Sequence, residues 1–496
     1  MPAGALMIQG TASNAGKSLI VAGLCRIFTR RGLRVLPFKP QNMSNNAAVT
    51  ADGGEIGRAQ ALQARACMTE PSSDMNPVLL KPESDSGSQV VVQGRARETV
   101  GARDYLLYKR TLMPYVMESF NRLRARAELI IVEGAGSISE INLRDGDISN
   151  MGFAAEANVP VVLAADIDRG GALAAVTGSW YLLPEDERPL LRGYVMNKFR
   201  GDFDVLAPAL EIIRERTGLP CYGVIDWFAP ASKLPAEDSQ SLADAFSSGM
   251  GGIGRRGKIK IYVLALSRIS NHDDFDPLAA ESDVDLNYVK PGAAIPGDGD
   301  IVIIPGTKST IGDLDFLRAQ GWDTDIAAHI RRGGYVLGIC GGYQMMGMEV
   351  SDPHAVENPK PMTVRGLGLI DVTTVMERQK TLRRFKAATQ HGDEVAGYEI
   401  HMGSTTGPAA AAPMIILDGV PEGASGANAL CAGCYVHGLF TSDSYRARFL
   451  SPFRGGEGAG FVRTKYEKQI DDTLDELASH IEARVDVDKL AKIAGL

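Results

Sequence analysis

The sequence predicts an α/β protein built from two domains, each with a parallel sheet covered by helices. Three observations support this fold class. Short apolar runs alternate with helical patterns in both halves of the chain, the composition changes near Pro235, and 496 residues suit two or three domains of about 150 residues each. Strands separated by helices pair in parallel, so their carboxyl ends share one edge of the sheet, and we expect ligands at that edge.

In the first half of the chain, apolar runs predict strands and amphipathic patterns predict helices. The expected strands are Ala5–Gln9, Arg34–Phe38, Glu128–Val132, Val159–Ala164, Gly193–Met196 and Cys221–Ile225. The expected helices are Lys17–Arg31, Glu55–Cys67 and Tyr105–Ala127. We therefore place a first domain, with helices on both faces of its sheet, at residues 1–234.

A stretch rich in glycine and serine predicts a linker at residues 235–257, and a second α/β series follows it. Its expected strands are Lys258–Leu266, Asp300–Ile304 and Gly334–Leu337, and its expected helices are Ile311–Gln320 and Gly341–Met348. These elements predict a second domain at residues 258–450. Residues 451–496 contain a helical pattern at Tyr466–Val485, and we expect this tail to pack on the second domain.

Composition narrows the possible functions. Lysine and arginine total 52 while aspartate and glutamate total 60, so the formal net charge of −8 argues against nucleic acid held by overall charge. Six cysteines are too few for a disulfide scaffold, and no apolar run reaches the length of about 18 residues that a membrane span needs. We expect a cytoplasmic protein with small-molecule substrates and neither nucleic-acid nor membrane partners. The sequence leaves open whether it forms a homo-oligomer.

The segment Gln9–Ser18, which reads QGTASNAGKS, joins the first expected strand to the first expected helix. Glycines let backbone N–H groups point inward at such a turn, and the helix N-terminus adds a positive field, so the loop suits a polyphosphate. Lys17 can neutralise phosphate charge, and Ser18 can hold Mg²⁺. The residues expected to bind ATP here are Gly10, Thr11, Asn14, Ala15, Gly16, Lys17 and Ser18. Five residues separate Gly10 from Gly16, and this long form of the loop resembles that of the dethiobiotin synthetase family.

Two acidic residues are candidates to complete a magnesium site with Ser18. Glu133 directly follows a buried strand and therefore lies at the carboxyl edge of the sheet. Asp52, in the segment ADGGE, is the second candidate, although it could instead cap a helix together with Glu55. Asn197 ends another strand, where its amide could read the adenine ring or simply form a turn.

The segment Gly338–Gln344 has the spacing G-x-C-x-G-x-Q between an expected strand and an expected helix. A cysteine on such a sharp turn is exposed to substrate, and the helix N-terminus favours its thiolate, so we expect Cys340 to be a nucleophile. Backbone N–H groups of Gly341 and of the turn at Gly306 can bind an oxyanion. The pattern resembles the class I glutamine amidotransferase family, which implies that Gln344 also helps to bind glutamine.

A thiol nucleophile needs a base, and His437 is the expected one. In the amidotransferase family the base often stands in a His-x-Glu sequence, whereas position 439 of this chain is Leu. We therefore expect a Cys–His pair without a third member. His401 is the alternative base, but we expect it to lie beside the other substrate.

Longer strings extend the resemblance over nearly the whole chain. They are FKPQNMSNN from Phe38, DGGEIGRAQ from Asp52, DIDRGG from Asp166, NKFRGD from Asn197 and YEIHMG from Tyr398. These strings are similar to the cobyric acid synthase family. The resemblance implies a P-loop-type domain of the dethiobiotin synthetase kind, fused to a flavodoxin-like class I amidotransferase domain.

The same resemblance implies a reaction and its participants. The reaction is ATP- and glutamine-dependent amidation of the b, d, e and g carboxylates of adenosylcobyrinic acid a,c-diamide, in cobalamin biosynthesis. ATP and Mg²⁺ are the cofactors that it implies. The residues expected to face the corrinoid are Lys39, Gln41, Asn42, Asp166, Arg169 and His401.

Several alternatives stay open at this point. The cobyrinic acid a,c-diamide synthases share both domain types, although they carry a string like FKxGPDYIDP in place of FKPQNMS, and a cell-wall amidating enzyme would share them too. A partition-type ATPase would need no nucleophilic cysteine. An inactive amidotransferase half that serves as a scaffold is compatible with the leucine at position 439.

Overall fold

A computed structural model describes residues 3–83, 87–235, 258–358, 360–454 and 464–496. The chain forms two compact units. The first contains residues 1–44, 50–235 and 470–496, and the second contains residues 45–49 and 236–469. Apart from Pro235, the predicted linker at residues 235–257 lies outside the described residues.

Short strands and helices alternate along the described chain. The strands are β1 Gly4–Gly10, β2 Val35–Phe38, β3 Gln41–Met43, β4 Ala47–Val49, β5 Glu55–Gly57, β6 Val78–Pro82, β7 Gly87–Val92, β8 Arg95–Gly101, β9 Leu129–Glu133, β10 Val161–Asp166, β11 Leu191–Phe199, β12 Cys221–Asp226, β13 Ile259–Leu264, β14 Val284–Val289, β15 Ile301–Ile304, β16 Tyr335–Ile339, β17 Glu349–Asp352, β18 Met362–Arg365, β19 Thr373–Ala388, β20 Glu394–Thr406, β21 Ile415–Leu417, β22 Val420–Glu422, β23 Ala424–Ser425, β24 Cys431–Cys434 and β25 Val436–His437. The α-helices are α1 Lys17–Arg30, α2 Arg58–Ala66, α3 Ala102–Tyr108, α4 Met113–Arg124, α5 Met151–Ala157, α6 Ala172–Leu182, α7 Phe203–Thr217, α8 Asp276–Ala279, α9 Thr310–Ala319, α10 Trp322–Arg331, α11 Gly341–Met346, α12 Asp443–Leu450, α13 Tyr466–Glu482 and α14 Val487–Ala494.

The first unit is built on six parallel strands in the order β12-β11-β10-β1-β9-β2. Strands β9 and β10 read LIIVE and VVLAAD and are buried along their whole length, as is typical of parallel strands covered on both faces. Ile8 lies opposite Glu133, and Asp166 lies opposite Asn197. The polar residues that end these strands therefore meet at one carboxyl edge, as the sequence predicts.

Two of the predicted helices in the first unit differ from the structure. The long helix expected at Tyr105–Ala127 is divided into α3, a 3₁₀ turn at Lys109–Thr111 and α4. Pro114 stands in the first turn of α4, where its missing N–H costs nothing, but its ring disfavours helix continuing from the preceding turn. The helix expected at Glu55–Cys67 begins only at Arg58, because residues 55–57 form a short strand.

The second unit contains a six-stranded sheet in the order β14-β13-β15-β16-β24-β23. The first five of these strands are parallel, and β23 is an antiparallel edge strand. Strand β16 is central and ends directly before Cys340. The predicted strands at Lys258, Asp300 and Gly334 are confirmed as β13, β15 and β16, whereas β14 was not predicted.

A further sheet of the second unit was not predicted from the sequence. It has five strands in the order β18-β17-β19-β20-β25, and its two long members, β19 and β20, are antiparallel. Its edge strand β25 carries His437, which pairs in register with Tyr398 of β20. This sheet therefore positions the predicted base.

The predicted packing of the C-terminal tail is wrong in part, because residues 470–496 belong to the first unit. The buried Arg26 of α1 donates to Asp475 at 2.8 Å, and Arg65 of α2 donates to Asp471 at 2.9 Å. A Cβ atom added at Gly23 would lie 2.4 Å from Ile481 Cδ1, so α1 and α13 approach closely. The amphipathic pattern of the tail predicts a buried face but not the surface that covers it.

A membrane-spanning helix is not found among the described residues, since none of the helices there combines the necessary length with sufficient apolarity.

Candidate functional site

The phosphate loop connects β1 to α1 through a glycine that no other residue could replace easily. Gly16 has φ 88° and ψ 22°, which is left-handed backbone. A Cβ atom at this position would lie 2.2 Å from Nδ2 of Asn197. The tight turn and the close approach of a neighbouring strand both require glycine.

Neighbouring side chains hold the carbonyl groups of this loop. Asn197 Nδ2 donates to Ala15 O at 2.9 Å, and Lys198 Nζ donates to Asn14 O at 2.7 Å. Ser137 Oγ donates to Thr11 O at 2.8 Å. The amide nitrogen of Asn197 thus supports the loop backbone, a role that differs from the predicted reading of adenine.

Lys17 folds over the loop that precedes it. Its ammonium group donates to Gly136 O at 2.8 Å and to the carbonyl oxygens of Ala12 and Ser13, both at 3.1 Å. A Cβ atom at Gly10 would lie 2.9 Å from Lys17 Nζ, so the ammonium is held directly against the loop. The Lys17 ammonium group therefore lies among the carbonyl oxygens of the loop and of Gly136.

Glu133 is the centre of a buried polar cluster beside the loop. Its Oε1 accepts hydrogen bonds from Ser18 Oγ and from Lys39 Nζ, both at 2.8 Å, and its Oε2 accepts one from Gln63 Nε2. Only 1% of Glu133 and 4% of Lys39 are exposed. Ser18 and Glu133 were predicted from their motifs, whereas Gln63 was not, because a glutamine on a helix gives no motif signal.

Asp52, the other predicted metal ligand, takes no part in this cluster. Its carboxylate accepts hydrogen bonds from the backbone N–H and the hydroxyl of Ser73, the latter at 2.7 Å. Burial raises the pKa of Asp52, but these hydrogen bonds outweigh that effect and lower it. Glu55 is buried and paired with Lys81 at 2.9 Å. The expected role of Asp52 as a metal ligand is therefore not supported by its contacts.

The predicted corrinoid residues of the first unit are mostly engaged by the protein itself. Lys39 is paired with Glu133, as described above. Tyr105 OH donates to Gln41 Oε1 at 2.7 Å, and Asn42 Nδ2 donates to Gln60 Oε1 at 3.1 Å. Asp166 accepts from Lys198 Nζ at 2.7 Å, and the side chain of Arg169 is exposed.

In the second unit, Cys340 occupies the sharp turn that its motif predicts. Its φ of 53° and ψ of −112° are strained values for a residue with a side chain, and α11 begins at the next residue. The backbone N–H of Cys340 donates to Cys434 O at 2.8 Å. Its thiol lies 3.6 Å from Ile400 O.

His437 does have a carboxylate partner, so the predicted absence of a third member is wrong. Nδ1 of His437 lies 2.6 Å from Oδ2 of Asp274, and the Gly438 N–H donates to Oδ1 of the same carboxylate at 2.9 Å. Asp274 stands far from His437 in sequence, so the His-x-Glu spacing could not reveal it. Nε2 of His437 is buried without an oxygen or nitrogen partner among the described residues.

The charge state of His437 depends on these neighbours. Complete burial lowers the pKa of the imidazole, but the Asp274 carboxylate and the Cys340 thiol act in the opposite direction and raise the pKa to about 10. The ring also stacks on Tyr398, with centroids 5.1 Å apart and planes 14° apart. Asp274 thus holds one ring nitrogen and stabilises the charged form of the imidazole.

The glycines predicted to form the oxyanion site come together around this pair. A Cβ atom at Gly341 would lie 2.6 Å from Thr307 Cγ2 and 3.3 Å from Thr307 N, so the two turns face each other. A Cβ atom at Gly306 would lie 3.3 Å from His437 Cε1. The close packing of the backbone against the side chains of Thr307 and His437 is the physical reason for glycine at both positions.

Gln344 and His401 have supporting contacts rather than free polar groups. Thr310 Oγ1 donates to Gln344 Oε1 at 2.8 Å, and Gln344 Nε2 donates to Met402 O at 2.8 Å. His401 stacks on Tyr435 with centroids 3.7 Å apart, and its side chain is 8% exposed. His401 is therefore not placed as the predicted substrate contact, and it is His437 that interacts with Cys340.

Comparison with known proteins agrees with both halves of this arrangement. Residues 6–242 match the family described as CobQ/CobB/MinD/ParA nucleotide binding domain, and residues 260–445 match the CobB/CobQ-like glutamine amidotransferase domain. A cobyric acid synthase of Bradyrhizobium diazoefficiens is 55% identical over 99% of both chains. The chain belongs to the cobyric acid synthase family. Family members from Jannaschia sp. and Rhizobium rhizogenes are 54% and 52% identical, again over 99% of both chains.

Membership of the cobyric acid synthase family fits the two sites described above. The chain is a glutamine-hydrolysing, amide-forming enzyme of cobalamin biosynthesis, with an ATP-binding phosphate-loop domain. The predicted α/β fold class is confirmed by both family matches. Among the alternatives, the partition-type ATPase does not account for the amidotransferase half.

Proposed function

We propose that this chain amidates the b, d, e and g carboxylates of adenosylcobyrinic acid a,c-diamide, using one glutamine and one MgATP for each amide. The observation that carries the proposal is the pairing, in one chain, of a phosphate loop bearing Lys17 and Ser18 with a Cys340–His437–Asp274 arrangement. The name of its relatives, cobyric acid synthase, supports the corrinoid as substrate.

Nitrogen is released by nucleophilic attack on glutamine. The sulfur of Cys340, whose proton rests on the imidazolium of His437, bonds to the side-chain amide carbon of glutamine. His437 then gives the proton to the departing nitrogen, and ammonia leaves a thioester on Cys340. Water cleaves the thioester, releasing glutamate and restoring the thiol. Backbone N–H groups at Gly306 and Gly341 are suited to the negative oxygen of each tetrahedral intermediate.

The corrinoid carboxylate is activated by phosphorylation. A carboxylate oxygen bonds to the γ-phosphorus of ATP, the bond to ADP breaks, and an acyl phosphate forms. Ammonia then bonds to the acyl carbon, and inorganic phosphate leaves with the oxygen that was activated. The chain contributes mainly charge and position, because the Lys17 ammonium is held at the loop whose amides would surround the phosphate groups.

The residues beside the loop also fit a magnesium ion. Ser18 Oγ and Glu133 Oε1 are oxygen atoms 2.8 Å apart at the start of α1, and hard oxygen ligands are those that Mg²⁺ prefers. Both residues would hold the ion together with the nucleotide, and the bound ion would supply positive charge that offsets phosphate charge. Lys39 and Gln63 orient the Glu133 carboxylate for this purpose.

The test is incubation of the purified chain with the a,c-diamide, ATP, Mg²⁺ and glutamine, followed by mass spectrometry of the corrinoid. We expect four successive replacements of OH by NH₂, each with the same small loss of mass. Cobyrinic acid supplied in place of the diamide is the substrate control. Amidation of cobyrinic acid at a and c alone would overturn the proposal in favour of an a,c-diamide synthase.

Separate variants distinguish the two half-reactions. Cys340→Ser should lose amidation with glutamine but keep amidation with ammonium, since only nitrogen release needs the thiol. Lys17→Ala should lose both. If Cys340→Ser still forms amide from glutamine, Cys340 is not the nucleophile.

A further inference from the structure

Residues 45–49 are an unusual part of the second unit, because the chain on both sides of them belongs to the first. Asn46 lies in this segment and is 2% exposed. The neighbouring strand β4 is also buried throughout. Burying an amide side chain costs free energy unless the amide makes hydrogen bonds. The hydrogen-bond partners of Asn46 therefore indicate its role.

Two hydrogen bonds join the segments of Asn46 and Asn271, and in each one an asparagine side chain accepts from a backbone N–H of the other segment. The Asn271 N–H donates to Asn46 Oδ1 at 2.8 Å, and the Ala47 N–H donates to Asn271 Oδ1 at 3.0 Å. Asn271 is buried as well. We name this pair the amide clasp, meaning Asn46 and Asn271 with the Ala47 N–H.

The clasp fixes the start of the turn that carries Asp274. Asn271 directly precedes the 3₁₀ turn His272–Phe275. Its φ of 51° and ψ of 42° are left-handed backbone angles, which residues other than glycine adopt at a cost in free energy. The Asp274 N–H donates to Asn271 O at 3.1 Å. Fixing the amide plane and side chain of Asn271 therefore fixes the direction in which the Asp274 carboxylate leaves the turn.

The same segment touches the oxyanion turn. The Ser270 N–H donates to Gly306 O at 2.9 Å, and Ser270 O would lie 3.3 Å from a Cβ atom at Gly306. Residues 270–274 thus contact the oxyanion glycine at one end and His437 at the other. A displacement of Asn271 would disturb both parts of the glutaminase site.

We propose that Asn46 is a positioning residue for glutamine hydrolysis, which acts through Asn271 to hold Asp274 against His437. Asn46 itself makes no contact with the reacting atoms in this proposal. The inference rests on the proposed roles of Cys340 and His437. It goes beyond them by assigning part of the glutaminase site to a segment that follows Ser44 in the first half of the sequence.

The experiment compares steady-state glutamine hydrolysis by the full-length chain and its Asn46→Ala variant. We expect kcat to fall about 10- to 100-fold while KM for glutamine changes less than about twofold, because misplacement of a catalytic group costs rate rather than ground-state binding. Asn287→Ala is the matched control. Asn287 lies in the same unit, and its amide donates to Asp285 at 3.0 Å and not to a residue of the clasp, so its loss should leave kcat unchanged.

A second variant removes the other half of the clasp without strain. Asn271→Gly deletes the acceptor of the Ala47 N–H, and glycine adopts the positive φ of this position freely. We expect kcat to fall in this variant too, because it breaks the second hydrogen bond of the clasp and keeps the first, from the N–H of residue 271 to Asn46. This variant keeps the test decisive if Asn46→Ala does not fold.

A double variant with Asp274→Asn distinguishes a positioning role of Asn46 from general damage to the structure. Asn46→Ala should have little added effect on kcat in the Asp274→Asn background, because the carboxylate that it positions is already gone. Independent, multiplying losses would overturn the proposal. An unchanged kcat in a folded Asn46→Ala variant would do the same.

Amidation with ammonium in place of glutamine shows which of the two half-reactions Asn46 affects. Asn46→Ala should keep ammonium-dependent amidation at the parental rate, and an equal loss with ammonium and with glutamine would show that Asn46 serves the other half-reaction. Cys340→Ser identifies the source of any failure. If Cys340→Ser abolishes glutamine hydrolysis while Asn46→Ala leaves it intact, only the role of Asn46 is refuted. If Cys340→Ser still hydrolyses glutamine, the nucleophile assignment fails instead.

Discussion

The Nδ1 atom of His437 lies 2.6 Å from the Oδ2 atom of Asp274, a residue 163 positions earlier in the chain. Relatives of the wider amidotransferase family often place the carboxylate two residues after the histidine, where this chain has Leu439. Leu439 is instead buried in the core of the second unit. The acid that contacts His437 therefore comes from a distant segment and not from position 439.

The first prediction concerns this carboxylate. Asp274→Asn should lower kcat for glutamine hydrolysis by about 10²- to 10⁴-fold, because the amide does not stabilise the imidazolium and no longer fixes the ring tautomer. Ammonium-dependent amidation should be unaffected. Glutamine hydrolysis is measured by release of glutamate, and amidation with ammonium by release of phosphate. Asp298→Asn is the control for loss of a carboxylate in the same unit, because the Asp298 side chain is mostly exposed and pairs with Lys260. Parental glutaminase activity in Asp274→Asn would show that Asp274 is dispensable.

The second prediction concerns pH and stability. The pKa of His437 is raised from its ordinary value of 6.5 to about 10, so the folded chain holds a proton that the unfolded chain releases between these values. Its contribution to stability is therefore complete below pH 6.5 and is lost as the pH rises through about 10. The thermal midpoint of the parent should therefore decrease as the pH is raised from about 7 to 8.5. This range lies below the ordinary pKa of cysteine and tyrosine, so that their titration does not interfere.

Asp274→Asn is the comparison for this measurement. Without the carboxylate, burial dominates and the pKa of His437 falls, so the difference in thermal midpoint between parent and variant should shrink as the pH rises. A difference that stays constant across this range would contradict the raised pKa.

The third prediction concerns the phosphate loop. Gly16→Ala should reduce ATP affinity at least about tenfold, because alanine resists a φ of 88° and its Cβ atom would lie 2.2 Å from Asn197 Nδ2. The measurement is nucleotide titration by calorimetry. Gly178→Ala is a matched control, since Gly178 lies in α6 with no atom within 4 Å of the added carbon. Unchanged ATP affinity in Gly16→Ala would show that the loop can relax away from Asn197.

The fourth prediction concerns the buried pair of Lys39 and Glu133. Lys39→Met leaves a buried carboxylate without its cation, and the loss of one partner of such a pair costs on the order of 3–5 kcal/mol. The thermal midpoint should therefore fall clearly. Arg34→Met is the control, because Arg34 and Glu128 form a mostly exposed pair whose loss costs about 1 kcal/mol or less.

A different outcome for Lys39→Met would assign another role to this lysine. A variant with parental thermal midpoint and parental ATP affinity, but without amidation, would indicate that Lys39 contacts the corrinoid, as the sequence alone predicts. The double variant Lys39→Met, Glu133→Gln tests the pairing further. It should regain part of the lost stability, since the unpaired charge is removed with its partner.

Contiguous motifs explain why much of both sites could be predicted. Gln9–Ser18 and Gly338–Gln344 each lie between a strand and a helix, and the chemistry of each depends on residues that are neighbours in sequence. Glu133 and Asn197 were found because parallel strands end at a common edge. In these cases the local backbone geometry places the side chains, and the spacing of neighbouring residues in the sequence is enough to predict that geometry.

The tertiary structure alone decided which distant groups complete the sites. Three such contacts join residues that are far apart in sequence, so that no helical or strand periodicity predicts them. They are those of Asp274 with His437, Gln63 with Glu133 and Asn46 with Asn271. The tail shows the same limit, because its apolar face predicts burial but the arginines of α1 and α2 determine where it packs. A hydrogen-bond partner is selected by the folding of the whole unit, so the residues that position a catalytic group can lie anywhere along the chain.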